Sequence, residues 1–292
     1  MPRTSRILMS EAEFTALAAR LTAQNAPPPA PDVLGALRSA VTGRVIALAE
    51  GPAEPALPAD VAAPAAAPAP YRLTQWTESG GSWTAVNDRL ELDVHGAASM
   101  THVDTTAHFR WDGARDVPPA GDPLVALAGA GIVARGVLVD VPGVLGVDVA
   151  GRVVTRDDVA AVLDRTGTEL RPGDVLHVHL GRREPARSDV PLGSVATAGL
   201  SIECAEWLAA ARPAAVVTDE GLDPMPSEVD GLPVPWHVLL LTALDIPLVD
   251  RATLAELSAA CRDAGRWEFL SVLAPLPIPG ASGSPLNPLA IL

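Results

Sequence analysis

The 292-residue chain predicts an α/β fold with a mixed sheet. Strand-type and helix-type segments roughly alternate along it, as they do when helices cover a sheet. Hydrophobic residues make up 48% of the chain, enough for a sizeable core in one large or two small domains. Short apolar runs such as GVLVD, ending at Asp140, and AAVV, ending at Val217, are of the type buried inside a sheet.

In chain order, Ser10 and Glu13 form a capping box, and Phe14, Leu17, Ala18 and Leu21 follow helical spacing up to the prolines at 27–29. A short helix is expected over Val33–Ala40 and a strand over Arg44–Leu48. Residues 51–70 are nearly all Ala, Pro and Val and read as a surface segment. Tyr71–Thr77, the Gly80–Gly81 turn and the arm from Trp83 to Val94 read as a β-hairpin leading straight into His95. Gly131–Asp140 is strand-like. Thr155 and Asp158 cap a helix over Arg156–Arg165, and Val175–Leu180 is a strand on which His177 and His179 share one face. That face lines either a cavity or solvent. Arg182–Val190 is a charged loop. Leu200–Ala211 is expected as a helix and Ala214–Val217 as a strand ending at Thr218, Asp219 and Glu220. The apolar run HVLLLTAL opens at His237, Thr253 with Glu256 caps a helix to Ala264, and Phe269–Leu273 is a last strand. The expected organisation is residues 1–50 as helices and a first strand on the main domain, 51–70 as a surface segment, and 71–292 as the main α/β domain.

The formal charge of −14 argues against a nucleic-acid or anionic-membrane partner and is compatible with a small-molecule substrate. Cys204 and Cys261 lack metal-site spacing and indicate no disulfide framework. The first apolar stretch is interrupted by Glu11, Glu13 and Arg20, so a cytoplasmic protein is expected. No G-x-S-x-G elbow, P-loop or G-x-G-x-x-G after a strand stands in the chain.

The concentrated chemistry lies in His95–Phe109, HGAASMTHVDTTAHF, which holds three of the six histidines. On a strand, His102 and Asp104 project from one face, because side chains alternate with period two. An imidazole and a carboxylate side by side offer the mixed N/O ligation that zinc or manganese accepts. His108 lies past the strand end, as a further ligand or a general base. Thr101, Thr105 and Thr106 supply hydroxyls that can orient these groups.

Several blocks in order resemble the metal-dependent cyclase family that includes bacterial kynurenine formamidase and isatin hydrolase. They are THVDTTAHF, GDVLHVHLG at Gly173–Gly181, TDE at Thr218–Glu220, His237 with Asp250, and the tail GASGSPLNPLAIL. The resemblance implies a swivelling β/β/α-type domain, a homo-oligomer and a divalent cation, zinc or manganese. It implies His102, Asp104, His237 and Asp250 as metal ligands and His108 as catalytic acid/base. Phe109, Trp111, His179 and Glu220 are expected to contact substrate. The chain departs from the family signature H-x-G-T-H-x-D-x-x-x-H in having Ala98 at the first histidine and Met100 at the glycine, and Asp250 stands where a glutamate is usual. His95 is the nearest replacement for the first histidine and is grouped with His108 as catalytic; it needs a turn or bulge to reach the site. The expected activity is metal-assisted hydrolysis of an amide, lactam or lactone in a small, including aromatic, molecule. The alternatives are a non-hydrolytic cyclase or lyase without metal, and a ligand-binding relative with no activity.

Overall fold

A computed structural model of the chain describes residues 7–24, 26, 29–50, 71–95, 99–111, 121–181 and 196–292. The segment 51–70, Ala98 and the loop 182–190 lie outside these residues. The elements are α1 (Glu11–Gln24), α2 (Val33–Leu37), β1 (Val45–Ala47), β2 (Tyr71–Gly80), β3 (Trp83–Leu92), β4 (His102–Asp104), α3 (Pro123–Ala130), β5 (Ile132–Asp140) and α4 (Val141–Leu145). There follow β6 (Val153–Val154), α5 (Arg156–Thr166), β7 (Val175–His179), β8 (Gly199–Leu200), α6 (Ala205–Ala211), β9 (Ala215–Thr218) and α7 (Pro235–Val238). The chain closes with β10 (Leu248–Asp250), α8 (Ala255–Ala264), β11 (Glu268–Leu273), β12 (Gly283–Pro285) and β13 (Leu289–Ile291).

Among the described residues, nine strands form one mixed sheet in the order β1-β13-β11-β5-β7-β9-β10-β4-β12. Its centre, β5 to β10, is parallel, and its flanks are antiparallel. The parallel strands read as continuous apolar runs because both faces are covered. One face packs against α1, α5 and α6 through Phe14, Val159, Val162 and Leu208, together with Leu176 and Trp236. The other packs against α3 and α8 through Leu124, Leu257 and Cys261, together with Val103, Val217 and Phe269. No helix among the described residues is long and apolar enough to cross a membrane.

Both predicted capping boxes at the first and fifth helices are made. Ser10 and Glu13 bond reciprocally, and Thr155 with Asp158 does the same at α5. The expected cap at α8 is not made. The residue before that helix is Leu254, without a side-chain bond, and Glu256 instead reaches Arg44 at 3.1 Å. The expected helix over Leu200–Ala211 is a strand residue pair, a 3-10 turn at Ile202–Cys204 and then α6. The hairpin β2–β3 does not run into the main sheet but forms a separate two-stranded one. His102–Asp104 therefore sits on its own strand, between β10 and β12. The tail also pairs into the sheet, as β12 and β13.

His177 faces Phe269 with ring centroids 4.9 Å apart and is fully buried. Burial drives its pKa down from 6.5 to about 3, so the folded protein resists protonating it while the unfolded chain does not. Its contribution to stability is complete above pH 6.5 and is lost as pH falls toward about 3. Thermal unfolding across this range should show His177→Gln losing stability less steeply than the parent, by up to about 1.4 kcal/mol per pH unit. Parallel curves for the two proteins would contradict this.

Candidate active site

The site grows from the short strand β4. Val103 points into the core on the α3/α8 side, so His102 and Asp104 project together onto the opposite face. On the neighbouring strand, Val249 pairs with Val103 and Asp250 lies directly opposite His102. Alternation therefore brings three candidate ligands to one face of two adjacent strands. His102 is held from behind: its Nδ1 lies 2.8 Å from the Met100 carbonyl and donates to it, which turns Nε2 toward Asp104 at 3.4 Å. Thr101 and Thr105 fix the strand at both ends by donating to the carbonyls of Arg251 and Ser282.

Past the strand the chain turns, with the His108 N–H donating to the Thr105 carbonyl at 2.9 Å. The turn lays His108 back over the carboxylate, Nε2 3.8 Å from Asp104 Oδ2. His95 arrives from the other side. Its ring stacks on that of His108, centroids 3.8 Å apart, and its Nε2 lies 2.9 Å from Asp104 Oδ1. Room for it is made by Gly283: a Cβ there would stand 2.6 Å from His95 Nε2. His237, on α7, brings Nε2 to 2.9 Å from Asp250 Oδ2 and 3.8 Å from Asp104 Oδ2. The six residues His95, His102, Asp104, His108, His237 and Asp250 thus converge, although 155 positions separate the first from the last.

Charge and burial shape this cluster. Asp104 is almost fully buried, which works against its charged form, but His95 and the imidazoles of His102, His108 and His237 outweigh that and hold its carboxyl below the usual range. Burial lowers the pKa of His108 against the pull of Asp104, favouring a neutral ring able to accept a proton. Burial alone would lower His237 too, but the Asp250 and Asp223 carboxylates raise it well above the ordinary imidazole value.

Within the cluster, three of the buried atoms have no hydrogen-bond partner among the described residues: His95 Nε2, Asp104 Oδ1 and Asp250 Oδ1; four others, at Asn87, Trp111, Arg156 and Trp267, lie outside it. Leaving such an atom unpaired costs about 1–3 kcal/mol. The first two are only 2.9 Å apart and yet fail hydrogen-bond geometry with one another. Imidazole nitrogens beside carboxylate oxygens are a donor set suited to zinc or manganese. Among the described residues two triads meet the spacing a metal needs, His95–Asp104–His108 and His102–Asp104–Asp250, with donor atoms within 4.8 Å of one another.

The remaining expected residues divide. Phe109 stands beside the cluster, its ring 4.7 Å from that of His108 and 5.5 Å from that of His237. Trp111 packs edge-on against Phe14 of α1, centroids 5.8 Å apart. Glu220 lies in the loop after β9, one residue before Gly221, where a Cβ would stand 3.9 Å from Asp250 Oδ2 and His237 Cε1. His179 is a correction. It alternates with Leu176, Val178 and Leu180, which belong to the α1/α5/α6 core, so it and His177 lie on the sheet face opposite Asp104. There it donates to Asp140 at 2.7 Å and is buried, facing neither solvent nor the candidate site. The residue that sequence reasoning missed is Asp223, bonded to His237 Nδ1 at 2.5 Å. It stands in a loop rich in acids, where nothing distinguishes one carboxylate from another.

Comparison with known proteins bears on the fold and the family. A crystal structure described as a novel cyclase is 26% identical, covers 93% of both chains and superposes with a TM-score of 0.69. Isatin hydrolase A from Ralstonia solanacearum is 22% identical over 91% of this chain and 99% of its own, with a TM-score of 0.57. An isatin hydrolase bound to the product analogue thioisatinate is 18% identical over 97% and 98% of the two chains, with a TM-score of 0.55. These last two share the fold. No curated protein matches the chain. The cyclase family model matches residues 59–224, more than half of the sequence, including His95–His108 but not His237 or Asp250, and the chain belongs to the cyclase family.

Proposed function

We propose that this protein is a metal-dependent hydrolase acting on a C–N or C–O bond, in an amide, lactam or lactone of a small molecule, aromatic ones included. The observation that carries the reading is the pair of unpartnered, buried atoms His95 Nε2 and Asp104 Oδ1, set among three further imidazoles and a second carboxylate. His102, Asp104, His237 and Asp250 are the ligands we assign. His95 joins them rather than acting with His108, because its orphaned nitrogen shares its space with the orphaned oxygen of Asp104. It thereby takes the role of the missing histidine at Ala98. A zinc or manganese ion bound there would polarise the scissile carbonyl and lower the pKa of water from 15.7 toward about 7.

The rest falls to the chain's own side chains. His108, neutral and partly exposed, takes a proton at Nε2 and returns it to the departing nitrogen or oxygen. Phe109, against both His108 and His237, offers an apolar wall for a flat substrate. Asp104 keeps the imidazoles gathered.

A non-hydrolytic ring closure or elimination is the second reading. It is favoured by the direct 2.9 Å contact of His237 Nε2 with Asp250, which occupies a nitrogen that a cation would need. Elemental analysis of the purified protein separates the two. Stoichiometric zinc or manganese, and activity abolished by chelator, support hydrolysis; activity surviving chelation supports the alternative.

We also propose a homo-oligomer formed through the hairpin. A two-stranded ribbon is marginal in water on its own, and this one exposes Leu73, Trp76, Trp83, Val86 and Leu90. The same chain exposes a second apolar group at Leu34, Leu37, Val41 and Val45. Two such patches on one chain are what reciprocal contacts about a two-fold axis use.

Three outcomes are expected. With aryl formamides, lactams and lactones as substrates, His108→Ala should lose about 10²–10⁴-fold in rate while retaining metal. His95→Ala, His102→Ala and Asp104→Ala should lose metal, measured by mass spectrometry, as well as activity; unchanged turnover in all four variants would end the hydrolytic reading. Light scattering should give a mass of at least two chains for the parent and one chain for the double variant Leu73→Glu/Leu90→Glu. Equal masses would remove the hairpin from the assembly.

A further inference from the structure

Asp223 is buried, and its carboxylate is spent entirely on one short helix. Oδ1 accepts the backbone N–H of Trp236 at 2.6 Å, and Oδ2 faces both the backbone N–H of His237 at 3.4 Å and its Nδ1 at 2.5 Å. The residue preceding α7, Val234, makes no side-chain cap, so Asp223 supplies the cap from a distant loop. The loop is shaped to do this. Leu222 adopts a left-handed backbone with φ 61°, an unfavourable conformation for a branched side chain. A Cβ on Gly221 beside it would stand 3.9 Å from His237 Cε1 and from Asp250 Oδ2, and Gly199 admits Pro224 at a distance no Cβ would tolerate. The turn therefore wraps around His237 and reaches it from the side away from Asp104.

A carboxylate can only accept. Its bond to Nδ1 requires a proton there, and the bond of Nε2 to Asp250 requires one on that nitrogen too. With no cation bound the ring therefore carries both, and a cation at Nε2 would take the place of that second proton while Asp223 keeps the first on Nδ1. The same device holds His102, whose Nδ1 donates to the Met100 carbonyl. We infer that Asp223 is a positioning residue for the site: by fixing the proton of His237 on Nδ1 it makes Nε2 the donor for a divalent cation. This rests on the cation-binding reading above. A carboxylate or carbonyl behind a ligating imidazole typically contributes 10–100-fold in metal affinity.

The test is Asp223→Asn in the full chain. Asparagine keeps the shape, and its oxygen still accepts from Trp236, but its NH₂ donates to Nδ1 and moves the imidazole proton to Nε2. Zinc is the probe, titrated against a competing chelator, and ¹⁵N spectra of labelled imidazoles report which nitrogen of His237 carries hydrogen. The expected result is a 10–100-fold loss of zinc affinity with Nδ1 deprotonated, at little change in Tm. Zinc affinity within twofold of the parent, or a proton still on Nδ1, overturns the assignment. If the variant fails to fold, the zinc-loaded parent decides: hydrogen on His237 Nδ1 supports the role and its absence refutes it. If the parent binds no zinc, the cation-binding reading fails. The imidazole spectra of parent and variant then still decide whether Asp223 sets the proton of His237.

Discussion

A carboxylate buried to 1% exposure is the constraint around which this molecule is arranged. Removing an anion from water costs several kcal/mol unless opposite charge or hydrogen-bond donors surround it. No Lys or Arg is paired with Asp104 among the described residues; four imidazoles are. They come from the segment before β4, from β4 itself, from the turn after it and from α7. Each of those segments has its position fixed by packing that has nothing to do with chemistry. The sheet register puts Asp250 beside His102, the Thr105 turn folds His108 back, and the absence of a Cβ at Gly283 admits His95.

Imidazole suits this task better than a permanent cation would. Four fixed positive charges would neutralise the carboxylate and repel any metal, whereas an imidazole can give up its proton and offer a lone pair in its place. The direction of each ring then matters as much as its presence. His102 and His237 are each secured at Nδ1 by a group outside the cluster, a backbone carbonyl in one case and Asp223 in the other. Rigid supports behind the rings let the front of the site remain incompletely bonded without collapsing on itself.

How much of this the sequence discloses depends on the range of the interaction. His102 and Asp104 share a face through period-two alternation, and His108 follows within a single turn, so local spacing is sufficient. His95 is recognisable as the nearest spare donor, though only the folded path shows that it arrives. His237 and Asp250 are invisible to spacing and enter through the ordered resemblance to a family. Asp223 is missed because its partner is fourteen positions away across a proline-rich loop. For His179, alternation correctly pairs it with His177 but cannot say which side of the sheet the pair faces. The hairpin is placed correctly as a hairpin, yet its continuity with the signature stretch in sequence suggests a shared sheet that does not exist. Contiguity along the chain is not adjacency across strands.

His179 and Asp140 show why residue type alone is a poor guide to a site. They too are a buried histidine and aspartate near the ends of parallel strands, with Asp219 3.6 Å beyond. Asp140, however, is saturated. It accepts from His179 at 2.7 Å, from the Gly143 N–H at 3.0 Å, from Ser258 at 2.7 Å and from Arg262 at 3.4 Å. Those bonds tie α4 and α8 to the sheet, and nothing remains to act on a substrate. Asp104, on the other face, has an oxygen that lies against His95 and His102 but makes no well-formed hydrogen bond among the described residues. Two clusters of like composition on one sheet differ in what their atoms still lack. Each unpartnered buried atom costs free energy, and three of them stand together in this cluster, unlike the scattered ones at Asn87, Trp111, Arg156 and Trp267. The open valences at Asp104 are what the proposed chemistry draws on, and the closed ones at Asp140 hold the scaffold.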